Sequence, residues 1–140
     1  MRGLNDPMQS VADSENLWRL VGEIVASRGR KLRKYEYFER SWKALLEDVG
    51  LVVIKAPTGC GKTEAATAPF FWGLRERKRL WLSLIYALPT RSLAMAMRRR
   101  LSGAIKALGI KWCTATLDYS EPLSIKPYLG GDVAVTTYDT

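Results

Sequence analysis

The chain of 140 residues contains no histidine and only two cysteines, Cys60 and Cys113. The absence of histidine excludes a histidine general base, a histidine zinc site and a histidine-aspartate metal nuclease site within these residues. The two cysteines are far apart and unaccompanied, which argues against a disulfide framework and a zinc knuckle. No apolar run approaches the roughly 18 residues that a membrane span needs, and the first residues lack a signal-peptide core. We therefore expect a cytoplasmic protein without a membrane partner.

Acidic residues are scarce relative to basic ones, 14 against 22, which gives a net charge of +8 and a pI near 9.7. This excess predicts a polyanionic partner. Nucleic acid is favoured over a membrane because no basic amphipathic helix stands out. A basic background without a specific partner is the alternative interpretation. The basic run over residues 28–34 also has two equally weighted interpretations, a solvated connector and a phosphate contact.

Helical spacing of apolar residues predicts three amphipathic helices. Residues 1–12 are expected to form a loose leader with a turn at Asn5-Asp6-Pro7. The predicted helices then follow over residues 13–29, 35–48 and 91–108, the last with Thr90 as its N-cap. A further helix should open at Lys62, and Pro69 should kink or end it, because proline cannot donate the hydrogen bond expected by Ala65.

Apolar runs between the helices predict four strands, over residues 51–55, 80–88, 110–116 and 132–135. The first two runs are apolar enough for strands buried on both faces in the centre of a sheet. Strands and helices alternate along the chain. This order is typical of an α/β domain with a parallel sheet and right-handed crossovers.

The most specific pattern is the loop APTGCGKT, which follows the first predicted strand. Gly59 and Gly61 allow backbone conformations that a side chain would block, so successive N–H groups can point at one anion. Lys62 can place its charge on the β and γ phosphates of a nucleotide, and the Thr63 hydroxyl can ligate magnesium. The helix that opens here directs its positive end at the same phosphates. The pattern predicts a phosphate-binding loop, with a glycine-rich turn that binds nothing as the alternative.

Two weaker patterns also follow predicted strands, at the edge where open α/β sheets bind their ligands. Thr90 and Arg91 follow the second strand, and Thr136 and Thr137 end the fourth. Hydroxyls, a guanidinium and helix N-terminal N–H groups together suit a nucleic-acid phosphate. Each pattern alone is also typical of an ordinary helix start or strand exit. Because both patterns follow the predicted phosphate-binding loop in this order, the nucleic-acid interpretation is better supported than either pattern alone would allow.

These three stretches resemble motifs of a known family. APTGCGKTEAA resembles motif I, ALPTRSLAMAMRRRL resembles motif Ia, and GDVAVTTYDT resembles the threonine-containing motif of the first RecA-like domain of superfamily 2 helicases. The amino-acid sequences of these motifs are most similar to those of the CRISPR-associated helicases of type I interference systems. The resemblance covers roughly residues 30–140. It implies a P-loop NTPase (RecA-like) α/β fold, a three-layer parallel sheet with flanking helices, here incomplete and preceded by two N-terminal helices.

The resemblance implies ATP and Mg²⁺ as cofactors. Lys62 and Thr63 would be the catalytic residues, with Thr63 also ligating Mg²⁺. Tyr35 and Glu36 would contact adenine: Glu36, which follows Tyr35, stands at the place of the family's adenine-reading glutamine in a pattern like R-x-Y-Q. A glutamate there can accept a hydrogen bond from the adenine amino group but cannot donate one. The nucleotide would further contact the loop and the residue after it: Ala56, Pro57, Thr58, Gly59, Cys60, Gly61, Lys62, Thr63 and Glu64.

The resemblance also implies nucleic acid as a partner, single-stranded DNA in particular. Thr90, Arg91, Thr136 and Thr137 would contact its backbone. A CRISPR interference complex would be a further partner. Two alternatives remain. The chain could be a small P-loop phosphotransferase, or a fragment that binds nucleic acid without catalysis.

The family's acidic box and its second RecA-like domain would follow residue 140. We therefore expect an N-terminal fragment of a helicase core, with a leader and helix over residues 1–30 and a partial RecA-like domain over residues 31–140. ATP hydrolysis would need the remainder of the core. The sheet neighbours of the strand predicted over residues 51–55 would also come from that remainder, so we expect the chain to be partly folded or aggregation-prone on its own.

Overall fold

A computed structural model describes residues 7–47, 49–78, 80–117 and 132–138. The chain forms two compact units, residues 1–72 and residues 73–140. The helices and strands in chain order are α1 (Pro7–Ser27), α2 (Glu36–Leu46), α3 (Lys62–Arg75), β1 (Ser83–Leu88), α4 (Arg91–Ala107), β2 (Ala115–Leu117) and β3 (Asp132–Thr137).

An aromatic cluster joins α1 and α2 in the first unit. Trp18 stacks on Phe38 with ring centroids 5.0 Å apart, and Trp42 meets Trp18 edge-on at 4.7 Å. The Trp18 indole N–H donates to Glu39 Oε1 at 2.9 Å. The amphipathic character predicted for the first helix is thus confirmed, because α1 buries one apolar face. That face consists of Leu17, Leu20, Val21 and Ile24.

Helix α1 begins earlier than the sequence predicts, since residues 7–12 are helical and not a loose leader. Proline is favoured in the first turn of a helix, where its missing N–H costs nothing, so Pro7 is compatible with this earlier helical segment. The predicted turn also includes Asn5 and Asp6, which lie outside the described residues. Helix α2 ends at Leu46, slightly before its predicted end at residue 48.

Helix α3 runs through Pro69 to Arg75, so a helix end at this proline is a wrong prediction. Proline inside a helix leaves the carbonyl four residues earlier, here that of Ala65, without its backbone donor. The Trp42 indole N–H donates to this carbonyl at 3.0 Å. Trp42 and Ala65 are both buried. A side chain of α2 therefore supplies the hydrogen bond that the proline cannot make.

Residues 51–57 have no regular secondary structure, so the strand predicted over residues 51–55 is absent. Leu51 and Val53 are 80% and 75% exposed, whereas Val52 and Ile54 are half-buried. This alternation is that of an extended chain covered on one face. Among the described residues no strand pairs with the segment, and without a hydrogen-bonded partner an extended chain is not a strand.

The second unit contains a three-stranded parallel sheet in the order β1-β3-β2, with α4 packed against all three strands. This confirms the predicted parallel α/β arrangement. Strand β3 lies in the middle, and its residues Val133, Ala134 and Val135 are buried. Strand β1 lies at the edge of the described sheet with Ile85 58% exposed, so the prediction of a buried central strand over residues 80–88 is wrong here.

Helix α4 begins and ends close to its predicted bounds. The Thr90 hydroxyl accepts a hydrogen bond from the Leu93 N–H at 3.2 Å, which confirms Thr90 as the N-cap. Ala94 and Leu101 are buried on the core side. The backbone leaves the helix at Gly109, where φ is +70°.

Replacing Trp42 by phenylalanine should destabilise the protein by about 1–3 kcal/mol beyond the loss of contact area, because the buried Ala65 carbonyl would lose its donor. Pro69→Ala returns a backbone N–H to that carbonyl, so Trp42→Phe should cost less in the Pro69→Ala background. Urea denaturation followed by circular dichroism on the four proteins measures this coupling. Trp18→Phe is the matched control, since its indole bonds Glu39 and its cost should be the same in both backgrounds. Equal costs of Trp42→Phe in both backgrounds would contradict the assignment.

Candidate nucleotide-binding site

The predicted phosphate-binding loop, residues 56–63, ends in the first two residues of α3, Lys62 and Thr63. Gly59 and Gly61 have φ angles of +85° and +77°, in the left-handed region that glycine adopts without steric cost. The Cys60 N–H donates to the Pro57 carbonyl at 3.3 Å, which closes a turn. The Gly61 carbonyl accepts a hydrogen bond from the Ala65 N–H at 2.9 Å. Both glycines thus adopt a left-handed backbone conformation that a residue with a side chain would avoid.

The start of α3 is electrostatically suited to an anion. The first N–H groups of an α-helix have no acceptor within the helix, and the aligned peptide dipoles make this end positive. Lys62 begins α3 and is exposed. It lines an open pocket of about 470 Å³ together with Ile54, Lys55, Ala56 and Pro57. An accessible ammonium group therefore lies at a pocket beside the positive end of a helix.

Thr63 is half-buried in the first turn of α3. Its carbonyl accepts a hydrogen bond from the Thr67 hydroxyl at 2.7 Å. Across the described residues no group of three or more histidine, cysteine, aspartate or glutamate side chains could hold a metal. Mg²⁺ keeps several waters and binds through few protein ligands together with substrate phosphates. A single threonine hydroxyl beside a phosphate site fits that requirement.

Side chains of α2 hold the loop. The Tyr37 hydroxyl donates to the Cys60 carbonyl. The Phe38 ring lies so close to Gly61 that a Cβ added there would be 2.7 Å from Phe38 Cζ. Burial raises the pKa of Tyr37, and the neighbouring Cys60, Glu64 and Tyr35 raise it further. The hydroxyl therefore keeps its proton at neutral pH and remains a donor.

Glu64 lies in the first turn of α3, and it is buried although charged. Its Oε1 atom is 3.2 Å from Arg28 Nη1, in a salt bridge whose side chains are 8% and 34% exposed. Arg28 comes from the segment after α1, in the basic run that the sequence left open between a connector and a phosphate contact. The structure gives this arginine a carboxylate partner within the loop region.

Tyr35 and Glu36 lie at the start of α2. Tyr35 has an extended backbone as the N-cap and makes no side-chain capping hydrogen bond. Its ring centroid is 6.1 Å from that of Tyr37 and 6.2 Å from that of Phe38. Glu36 is exposed. Both residues belong to the same unit as the loop, and their contact with adenine stays a prediction.

In the second unit the parallel register brings together the two stretches predicted to bind nucleic acid. Leu88, the last residue of β1, pairs with Thr137, and the Tyr138 N–H donates to the Leu88 carbonyl at 3.1 Å. Thr136 and Thr137 therefore lie beside the turn that leads to Arg91. Arg91 is exposed and Thr136 is half-buried, but Thr137 is only 5% exposed. Accessibility favours Arg91 and Thr136 over Thr137 as contacts, and the contacts themselves stay predictions.

Sequence reasoning missed the side chains that support the loop: Arg28, Tyr37, Phe38 and Trp42. Their contacts join residues 23 to 36 positions apart, beyond the range of any local pattern. A signal exists only for Trp42, because Pro69 requires that some donor reach the Ala65 carbonyl.

Comparison with known proteins agrees with the fold. Residues 36–140 match the DEAD/DEAH box helicase family. The chain therefore belongs to that family, whose domain has the RecA-like P-loop fold. The fold expected from the sequence is thus confirmed. No helix among the described residues is long and apolar enough to span a bilayer.

Two curated relatives are CRISPR-associated. The CRISPR-associated helicase Cas3 of Thermoproteus tenax is 32% identical over 94 residues, which are 65% of this chain and 17% of the relative. The CRISPR-associated endonuclease/helicase Cas3 of Escherichia coli K12 is 46% identical over 59 residues, which are 42% of this chain and 6% of the relative. The expected similarity to CRISPR-associated helicases is confirmed. The chain spans less than a fifth of the length of either relative, and no solved structure matches it.

Replacing Gly61 by alanine should destabilise the protein more than the same change at Gly109. Both glycines have positive φ, +77° and +70°, so both changes carry about 1–2 kcal/mol of backbone strain. Only the new Cβ at residue 61 meets another atom, Phe38 Cζ at 2.7 Å, while nothing lies within 4 Å at residue 109. We expect overpacking to add about 1–3 kcal/mol at residue 61, measured by urea denaturation. Phe38→Leu should remove this difference, and an equal cost at both glycines would contradict the close approach.

Proposed function

We propose that this chain is the nucleotide-binding and nucleic-acid-binding part of an ATP-dependent DNA helicase that acts in CRISPR interference. One observation carries the proposal: a loop with two left-handed glycines opens α3 at an exposed lysine beside a pocket. Membership of the DEAD/DEAH box helicase family and the CRISPR-associated names of two relatives support it.

The residues present fit Mg-ATP. Lys62 would bind the β and γ phosphates as a point charge, and the N–H groups from Gly59 to Thr63 would bind the same oxygens. The Thr63 hydroxyl would hold Mg²⁺. Bound Mg-ATP supplies the free energy that a helicase couples to its movement on nucleic acid. The protein's part is to bind and orient the phosphates with groups already positioned at the helix end.

At the nucleoside end, Tyr35 and Glu36 would contact adenine. An ionised glutamate accepts hydrogen bonds and donates none. It can therefore accept from the adenine amino group, whereas it would repel the carbonyl oxygen that guanine carries at the same position. This difference favours ATP over GTP, even though the glutamine typical of the family is absent here.

Nucleic acid would bind at the edge of the sheet where β1 and β3 end. Arg91 offers an exposed guanidinium, and the first turn of α4 offers N–H donors and a positive dipole. Thr90 already uses its hydroxyl to cap α4, so its contribution would come from the backbone. Together with the net charge of +8, these groups suit the phosphates of single-stranded DNA.

Because the chain spans 17% and 6% of the two relatives, we propose binding for these residues. Hydrolysis and translocation would need further parts of a helicase core. The family match argues against a small P-loop phosphotransferase, the first alternative. A non-catalytic segment that binds nucleic acid through charge alone is the second, and nucleotide binding separates it from the proposal.

Titration of a fluorescent ATP analogue with Mg²⁺ tests the nucleotide site. We expect saturable binding that Lys62→Ala weakens at least about tenfold, since a charge-assisted contact to phosphate is lost. Lys43→Ala is the matched control. Lys43 is exposed on α2, so this substitution removes the same charge at a place outside the loop. Circular dichroism of all three proteins checks that the fold is unchanged. Equal binding by wild type and Lys62→Ala would refute the assignment of the loop.

The salt dependence of binding to single-stranded DNA tests the second site. Loss of one phosphate contact makes the slope of log K against log salt shallower by about 0.7. We expect this change for Arg91→Gln and a smaller one for Arg99→Gln, an exposed arginine farther along α4. Fluorescence anisotropy with a labelled oligonucleotide at several salt concentrations gives the slopes. If both variants change the slope equally, DNA binds by charge alone and not at the start of α4.

A further inference from the structure

A buried carboxylate next to a phosphate site presents an electrostatic problem. Glu64 follows the loop at the third position of α3, where the backbone N–H groups and Lys62 are suited to an anion. Its side chain is 8% exposed. A negative charge at such a place repels the phosphates of a nucleotide, and little water is present to screen it. An opposite charge that pairs with Glu64 would remove this repulsion.

Arg28 provides that opposite charge, with Nη1 3.2 Å from Glu64 Oε1. Its backbone is held by the end of α1. The Gly29 N–H donates to Ala26 and the Arg30 N–H donates to Val25, at 3.0 and 3.1 Å. Together with the positive φ of Gly29, these two bonds form a Schellman motif. The last turn of α1 therefore fixes the point from which Arg28 reaches α3.

The pair also lies next to the backbone of the loop. The Glu64 Oε2 atom would be 3.7 Å from a Cβ at Gly61, so this carboxylate lies against the loop backbone. Tyr37 holds the same loop at the Cys60 carbonyl. Glu64, paired with Arg28, thus lies against the loop at Gly61, while Tyr37 holds the loop at the Cys60 carbonyl.

We propose that Arg28 is a positioning residue for nucleotide binding, which holds Glu64 and cancels its charge beside the phosphate site. The proposal rests on the proposed nucleotide site and deepens it. Arg28 itself need not touch the nucleotide. Its effect passes through Glu64, so removing the charge of Glu64 should remove the need for Arg28.

The test compares the full 140-residue chain with Arg28→Gln, Arg28→Lys, Glu64→Gln and the double variant Arg28→Gln/Glu64→Gln. Arg30→Gln is the matched control, because Arg30 is an exposed arginine of the same basic segment. Two readouts are needed. The first is Mg-ATP and Mg-ADP affinity from titration, and the second is hydrogen exchange of the backbone amides over residues 59–65 without nucleotide.

We expect Arg28→Gln to weaken Mg-ATP binding on the order of tenfold, since it removes the positive charge that pairs with a buried carboxylate beside the phosphate site. The loss should be smaller for Mg-ADP, which carries less negative charge. Arg28→Lys should bind nearly as wild type, and the double variant should recover most of the affinity. A change in packing alone would produce neither the dependence on phosphate charge nor the recovery. Arg30→Gln should bind as wild type.

Affinity unchanged by Arg28→Gln would overturn the proposal, and so would a double variant that binds no better than Arg28→Gln. Hydrogen exchange separates this failure from that of the nucleotide site. If wild type binds no nucleotide, the proposed function fails. Faster exchange over residues 59–65 in Arg28→Gln, and not in Arg30→Gln, would still support the role of Arg28 in holding the loop. Equal exchange in both variants would overturn that role.

Discussion

The carbonyl of Ala65 lacks a backbone donor because proline stands four residues later, and the first unit is arranged around meeting this need. The donor is the Trp42 indole, so α2 must pack against α3 in one register. That register places Phe38 against Gly61 and Tyr37 at the Cys60 carbonyl. A buried polar atom that accepts from one particular side chain specifies an arrangement more sharply than apolar contact does. The shape of the loop follows from this arrangement.

The sequence predicts those features that depend on residues close together in the chain. The loop, the three amphipathic helices, the Thr90 cap and the parallel order of strands all come from local spacing or from glycine and hydroxyl chemistry. The features it misses depend on partners far along the chain. Leu51 to Lys55 reads as a strand, yet strand formation requires a neighbour, and no described strand provides one. Pro69 predicts a kink or an end of the helix, yet α3 does not end there and Trp42 offsets the missing bond.

The same distinction applies to the candidate site. Lys62 and Thr63 are predicted from their spacing after two glycines, because the P-loop pattern places a lysine and a hydroxyl residue directly after its glycines. The residues that hold the loop are not constrained in this way, since a carboxylate or a carbonyl can find its partner anywhere in the fold. Arg28 therefore looks like one charge among several in a basic segment, and only the structure distinguishes it from Arg30.

The contacts that support the loop lie entirely within the first unit, residues 1–72. A ribosome releases the chain from its N-terminus, at about 5–20 residues per second. Both α1 and α2 thus leave the ribosome before the loop does, and Trp42 and Arg28 are present when α3 emerges. All the side chains that hold the loop are therefore available while the strands of the sheet are still being synthesised. The order of the sequence is therefore also a workable order of assembly.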